Sequence, residues 1–266
     1  MHITITGNLG SGKSTICRLL NEKYQFEIYS TGKVQRELAR QMNLTTLELN
    51  QLMCSNPKYD NMIDAATTRI SRENKDKDII FDSRLAWNFV EQSFKVFVSV
   101  SLEIAAKRVM NDSRGVEEKY TSLEEAKKLL AERAATEKIR YKDIYNLNYM
   151  DFSNYNLVID STYCTPDKIA EKILKEAKEY ENNLLYGTTK MLLSPRRLLR
   201  EEDICEEDRT RLQNLIKEYQ NVEDEIDTII KVYQQDEDYI VSEGLDQARA
   251  AFLAGVSYVP VLVVKK

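Results

Sequence analysis

The chain alternates between short β-branched runs and longer stretches whose apolar residues recur at helical spacing. Residues 2–6 (HITIT) predict a strand that breaks at Gly7, and residues 13–23 predict a helix with Ile16, Leu19 and Leu20 on one face. Residues 26–29 predict a second strand, after which Ser30-Thr31-Gly32 opens a helix to about Met42. Two more helical stretches follow near 46–54 and 58–73, and further strands are expected at 78–82, 95–101 and 155–160. Between the last two, helices are expected near 102–111, 122–138 and 138–146, with Ser122 and Glu125 forming a capping box. Thr165-Pro166-Asp167 starts a closing helix to about 181, with proline at its first position. Strands alternating with helices predict an α/β fold, a mainly parallel sheet with helices on both faces. The pattern lapses over 182–189, around Gly187, which divides the chain into segments 1–182 and 190–266. The second segment holds Leu192–Arg197, two charged amphipathic helical stretches, a short strand at 238–241 and an apolar strand at 259–264.

Composition narrows the chemistry. The 266 residues are 42% hydrophobic and 30% charged, enough apolar matter for a real core. No apolar run approaches the ~20 residues of a membrane span, and Met1 leads directly into the first strand without a secretion signal. The four cysteines (Cys17, Cys54, Cys164, Cys205) form no CxxC pair, which argues against structural zinc and a disulfide framework. A cytoplasmic protein without a membrane partner is expected. A single histidine, His2, excludes histidine-rich metal sites and histidine-based triads, leaving backbone amides, Lys, Arg, Asp and Ser/Thr. Net charge is −5: residues 1–186 carry 27 basic and 27 acidic side chains, residues 187–266 carry 11 and 16. A neutral front and an acidic tail are poor partners for a nucleic-acid backbone, so no nucleic acid is expected; a small phosphorylated ligand needs only local positive charge.

Gly7-Asn8-Leu9-Gly10-Ser11-Gly12-Lys13-Ser14, with Thr15 after it, supplies that charge. It is a complete GxxxxGK[ST] between an apolar strand and an amphipathic helix, the context a phosphate-binding loop requires. Glycines let successive N–H groups point at one anion, and the helix N-terminus adds its positive dipole end. Lys13 can reach β- and γ-phosphates and the Ser14 hydroxyl can ligate Mg2+. This predicts a nucleoside triphosphate site. No guanine-reading NKxD is present, and an Arg-bearing helical region lies between the fourth and fifth strands, the layout of a small-molecule kinase.

Further stretches carry a resemblance. Ser30-Thr31-Gly32 with Arg36-Glu37-Leu38-Ala39, Pro57 with Asp60 and Asp64, Asp82-Ser83-Arg84-Leu85, Arg133, Glu137 and Arg140-Tyr141, and Tyr155–Ser161 run in family order over residues 1–180. In these the chain resembles cytidylate kinases of the archaeal type, within the nucleoside monophosphate kinases. The resemblance implies a five-stranded parallel-sheet P-loop nucleoside monophosphate kinase fold with a helical lid. It also implies ATP with Mg2+ as donor and a nucleoside monophosphate, CMP or dCMP, as acceptor. By resemblance Arg36 and Arg84 hold the acceptor phosphate, Ser30, Thr31 and Asp60 line the acceptor site, and Asp82 acts through water on Mg2+. Arg133 and Arg140, two helical turns apart, share a face with Glu137 that can close over the transferring phosphate and exclude water. Arg108 and Arg114 flank that lid. The chain departs from the family pattern at Lys33, Asp82-Ser83 and Ala134. Another small acceptor, or a nucleotide sensor with little turnover, stays open, and a monomer or homodimer is expected.

Glu243–Gly255 followed by Val259–Val263, with Ser194-Pro195-Arg196-Arg197 before them, resembles the ParB/sulfiredoxin-like fold, a small α+β domain. Its phosphate-binding turn would lie at Gly244. Leu245, Asp246 and Gln247 replace the basic cluster there and only Arg249 persists, which implies a regulatory or scaffold role.

Overall fold

The computed structural model describes residues 1–266 except 45–47, 50–51, 54–57, 112–119, 183–187, 201–202, 223–224, 236–237 and 266, and except the side chains of Lys33, Arg36, Glu37, Leu38 and Glu206. Five strands, β1 (His2–Gly7), β2 (Glu27–Ser30), β3 (Ile79–Asp82), β4 (Phe94–Ser99) and β5 (Leu157–Asp160), pair in the order β2-β3-β1-β4-β5, all parallel. Parallel strands covered on both faces read as nearly continuous apolar runs, and β1 is buried at every position. Ile3, Ile5, Val96, Val98 and Ile159 pack against α1 (Lys13–Tyr24) and α7 (Pro166–Asn182) through Ile16, Leu20, Ile169 and Ile173. Further helices among the described residues of this part are α2 (Thr31–Gln41), α3 (Lys58–Glu73), α4 (Ala86–Phe89), α5 (Leu102–Met110) and α6 (Leu123–Tyr145). The helix expected at 46–54 lies largely outside the described residues.

Two expectations need correction. The helices predicted at 122–138 and 138–146 are one 23-residue helix, α6. No glycine or proline interrupts 123–145, so nothing breaks the backbone ladder at Lys138. Its N-terminus is capped by Ser122 Oγ, which accepts from the Glu125 N–H at 3.1 Å, while the Glu125 carboxylate accepts from the Thr121 N–H at 2.6 Å. A 23-residue helix spans about 35 Å, long enough to run from α5 beside the first loop to α3 on the far side of the sheet ends.

The second correction concerns the tail. The sheet does not stop at β5: β6 (Lys190–Leu193) pairs parallel with it, β9 (Val259–Val263) pairs antiparallel with β6, and β7 (Ile230–Gln235) and β8 (Asp238–Glu243) complete nine strands among the described residues. The sequence pattern registers neither β6 nor β7. Helices α8 (Glu206–Arg211), α9 (Gln213–Tyr219) and α10 (Leu245–Ala254) cover this extension. Both cores cross the junction. Phe97 and Val158 share a buried cluster with Leu193, Val232, Val259 and Ala251, and on the opposite face Leu192 and Tyr258 join Ile159 and Ile173.

An ion-pair network also spans the junction. Lys172 and Glu176 of α7 are 3% and 1% exposed, and Lys172 Nζ lies 3.1 Å from Glu176 and 3.2 Å from Glu225. Lys190 of β6 meets the same two carboxylates at 2.7 and 2.5 Å. Two cations and two anions therefore close a compensated square under the sheet.

Candidate active site

The first loop, Ser30 and Asp82 all stand at the carboxyl ends of parallel strands, where ligands of such sheets bind. Register places Ser30 beside Asp82, Ile5 beside Asp82 and Gly7 beside Val98. The loop leaving β1 is glycine-dependent for two separate reasons. A Cβ on Gly7 would sit 2.2 Å from the Val98 carbonyl oxygen and one on Gly10 2.9 Å from Ala105, so the loop lies flush on β4 and α5. Gly12, at φ 83°, is left-handed and caps α1. Asn8 fastens the loop: its N–H donates to the Val98 carbonyl (3.1 Å) and its Oδ1 accepts from the Val100 N–H (3.2 Å). Leu9 packs against the α5–α6 cluster. Ser11 is buried, and among the described residues its Oγ has no partner. Ser14 and Thr15 stand in the first turn of α1, and the Thr15 N–H donates to the carbonyl of the capping Gly12 at 3.0 Å.

The charges of the site meet at one atom. Lys13 Nζ donates to the Gly7 carbonyl (3.3 Å) and the Asn8 carbonyl (3.4 Å), and Arg84 Nη1 donates to the same Gly7 carbonyl. Burial, with the Arg84 charge behind it, pushes Lys13 down from 10.5 to about 7. A glycine-rich loop at a helix N-terminus, a buried Ser11 hydroxyl without a partner among the described residues and two converging cations suit a polyanion, and a polyphosphate fits that donor set.

Beside the loop stand the ends of β2 and β3. Ser30 ends β2 and donates through Oγ to Asp82 Oδ2 at 3.3 Å, and Thr31 opens α2. The side chain of Arg36 lies outside the described residues, as does Arg114. Asp82 ends β3, and Thr6 Oγ1 donates to the Ser83 carbonyl (3.0 Å), setting the turn that carries Arg84. Arg84 stands 6.0 Å from the Tyr149 ring centroid, within reach of a cation–π contact. Trp87 belongs to the core with Tyr155 and Phe97 rather than to the chemistry.

Helix α6 closes the top. Glu137 Oε2 accepts from Arg84 Nε at 2.9 Å, and Arg133 Nε lies 3.5 Å from Glu137 Oε1. One turn on, Arg140 Nη2 donates to both oxygens of Asp60 at 2.7 and 2.8 Å, and Tyr145 donates to Asp64 at 2.6 Å. Burial pushes the Asp64 carboxyl up to about 6. The lid face read from spacing thus comes together, and Asp60 meets the lid directly. Its interior member Glu137 couples Arg133 to Arg84, a partnership 53 positions apart that no local pattern announces.

The far side of the loop holds residues that the sequence reading left at the margin or missed. Arg108 of α5 donates to the Gly10 carbonyl (3.4 Å), Ser161 Oγ (3.1 Å) and the Ser161 carbonyl (2.5 Å). Asp160, fully buried at the end of β5, accepts from Arg197 Nη1 at 2.8 Å. No sequence motif signals the Asp160–Arg197 pair. In the tail, Arg249 donates to the Asp203 carbonyl (2.6 Å) and lies 3.6 Å from Asp246, while Arg211 pairs with Asp246 (2.6 Å) and Asp208 (2.8 Å). The turn at Gly244 therefore carries cations already matched by aspartates.

Among the described residues no group of three or more His, Cys, Asp or Glu could hold a metal, and no helix is long and apolar enough to cross a membrane. The model of the cytidylate kinase-like family matches residues 2–163. A cytidylate kinase from Methanococcoides burtonii is 35% identical over 162 residues, covering 61% of this chain and 88% of that protein. One from Methanosarcina mazei is 36% identical over 166 residues, covering 60% and 87%. An S-adenosylmethionine-dependent nucleotide dehydratase from Lacinutrix mariniflava is 31% identical over 174 residues, which cover 65% of this chain and 35% of that protein. The chain therefore belongs to the cytidylate kinase-like family and is a cytidylate kinase-like phosphotransferase.

Proposed function

We propose that the protein transfers the γ-phosphoryl group of ATP to CMP or dCMP. The observation that carries this is the convergence of Lys13, from the donor side, and Arg84, from the acceptor side, on the Gly7 carbonyl. Phosphoryl transfer asks the protein mainly to align two phosphates and neutralise charge spreading over the moving group. Lys13 and the loop amides hold the donor phosphates. Arg84, with Arg36, holds the acceptor phosphate, and a guanidinium fork suits an oxyanion bidentately. Ser14 and Asp82 are the residues that would hold Mg2+, whose contribution is to neutralise donor phosphate oxygens. A metal held by a hydroxyl, water and substrate phosphates requires no cluster of protein carboxylates. Acceptor entry draws Arg84 from Glu137, and α6, anchored through Arg140 and Asp60, excludes water as a competing acceptor. Residues 190–266 carry a regulatory or scaffold role, because the cations at Gly244 are spent on aspartates.

The acceptor is tested with a panel of nucleoside monophosphates at fixed ATP. The expected result is kcat/KM for CMP or dCMP at least about tenfold above that for AMP, GMP or UMP. Equal, low values for all would overturn the base assignment while leaving the transfer intact.

Lys13 also predicts a proton linkage. Its folded pKa lies below its unfolded one, so between about pH 7 and 10.5 the unfolded chain binds more protons and the stability of the free protein rises with pH. A bound polyanion reverses the shift. At about pH 8, binding of a non-hydrolysable ATP analogue should take up close to one proton, read by calorimetry in buffers of different ionisation enthalpy. Zero uptake would show that Lys13 is already charged in the free site.

A further inference from the structure

The tail touches the catalytic part at a point adjoining the phosphate cradle. Arg197, in the turn after β6, is 9% exposed and pairs with Asp160, which is 0% exposed. Its guanidinium also donates to Ser99 Oγ at 3.4 Å and stands 5.2 Å from the Tyr239 ring centroid on β8. Asp160 is a junction. Its Oδ1 accepts from the Thr162 N–H (3.2 Å) and Thr162 Oγ1 (2.6 Å), and its Oδ2 accepts from the Ser194 N–H (3.4 Å). Thr162 Oγ1 in turn accepts from the Ser101 N–H at 3.1 Å, immediately before α5. Between these contacts sits Ser161, whose Oγ donates to the Ser99 carbonyl (2.9 Å) and whose own carbonyl is held by Arg108, the residue that reaches Gly10. Three hydrogen-bonded links therefore connect the tail to the loop: Arg197 to Asp160 of the 160–162 turn, Ser161 of that turn to Arg108, and Arg108 to Gly10. One position further, Tyr163 is 45% exposed and lies beneath Arg196, 4.8 Å from guanidinium carbon to ring centroid.

We infer that Arg197 is a positioning residue for the donor nucleotide, so that the tail, through Arg197 and Asp160, completes the donor side of the site. This rests on the phosphoryl-transfer reading above. The donor side is singled out because the network ends on the cradle at Gly10 and on the 160–163 turn, whereas the acceptor residues Ser30, Asp82 and Arg84 answer to β2, β3 and α6. A charge pair this buried fixes its partner's geometry, since leaving Asp160 unmatched forces the turn to move or take in water.

The test compares Arg197→Met, Arg197→Lys and Arg196→Ala in the full chain, measuring affinity for a non-hydrolysable ATP analogue with magnesium and the KM values for ATP and CMP. Arg197→Met is expected to weaken analogue binding and raise KM for ATP about tenfold while KM for CMP changes less than about twofold. Arg197→Lys should recover part of that loss, because it restores the charge but not the fork. Arg196→Ala leaves the buried pair in place, so it folds whatever becomes of Arg197→Met, and should weaken the donor about twofold to threefold. Unchanged donor affinity in the folded variants would overturn the inference. So would donor and acceptor KM rising together, which is what mere loosening of the fold produces. If the wild-type chain itself fails to bind the analogue, the phosphoryl-transfer reading falls and this inference with it; binding to wild type with indifference to all three substitutions sinks the inference alone.

Discussion

Lys13→Ala is expected to lower kcat/KM at least about a thousandfold while leaving the free protein as stable as before, or more so. The two halves of this expectation have one cause. In the free site the ammonium is buried against two carbonyls with the Arg84 charge nearby, and burial has already pushed it down to about 7. Removing a group so poorly compensated relieves the folded chain. In the proposed transfer the same ammonium would face the charge that develops on the donor phosphates, and a positioned cation in a water-poor site is worth several powers of ten. Steady-state kinetics with thermal denaturation of the free protein reads both. Lost turnover accompanied by a large drop in melting temperature would mean that Lys13 holds the loop together rather than the phosphates.

Glu176→Ala is expected to have the largest effect on stability, about 3–5 kcal/mol in urea denaturation. The substitution takes one carboxylate from Lys172, which is 3% exposed, and from Lys190, leaving both cations to Glu225. A buried cation short of its partner costs far more than the intact square returns, so replacing Lys172 and Glu176 together by methionine should recover most of the loss. Because α7 and β6 belong to opposite sides of the junction, one cooperative transition should shift as a whole. A loss below about 1 kcal/mol, or a tail that melts separately, would show that the square does not join the two parts.

The legibility of this molecule in its sequence follows the range of its interactions. The loop from Gly7 to Ser14 is a contiguous device: each glycine serves a local backbone geometry or a close approach, so its spacing survives in the sequence. Strands β1 to β5 are legible because both faces are covered and the apolar runs are dense. Asp82 and Arg84 are legible through their order along the chain, not through any pattern of their own. What the sequence hides is pairing. Lys190–Leu193 is too short to show a period, and only its placement between β5 and β9 makes it a strand. Arg84 finds Glu137, and Asp160 finds Arg197, through the sheet and not through spacing. The acidic tail looks like a separate appendage because its composition changes at residue 187, yet composition describes surface while the cores beneath run on without a break.

Donor and acceptor phosphates are expected to meet where Lys13 and Arg84 do. Incubating the full chain with magnesium, CMP and ATP labelled in its γ-phosphate, then resolving the products, decides this. Label is expected in the β-position of CDP, in step with ADP formed, with no transfer by Lys13→Ala. Label released only as inorganic phosphate, at the same rate with CMP present or absent, would contradict it.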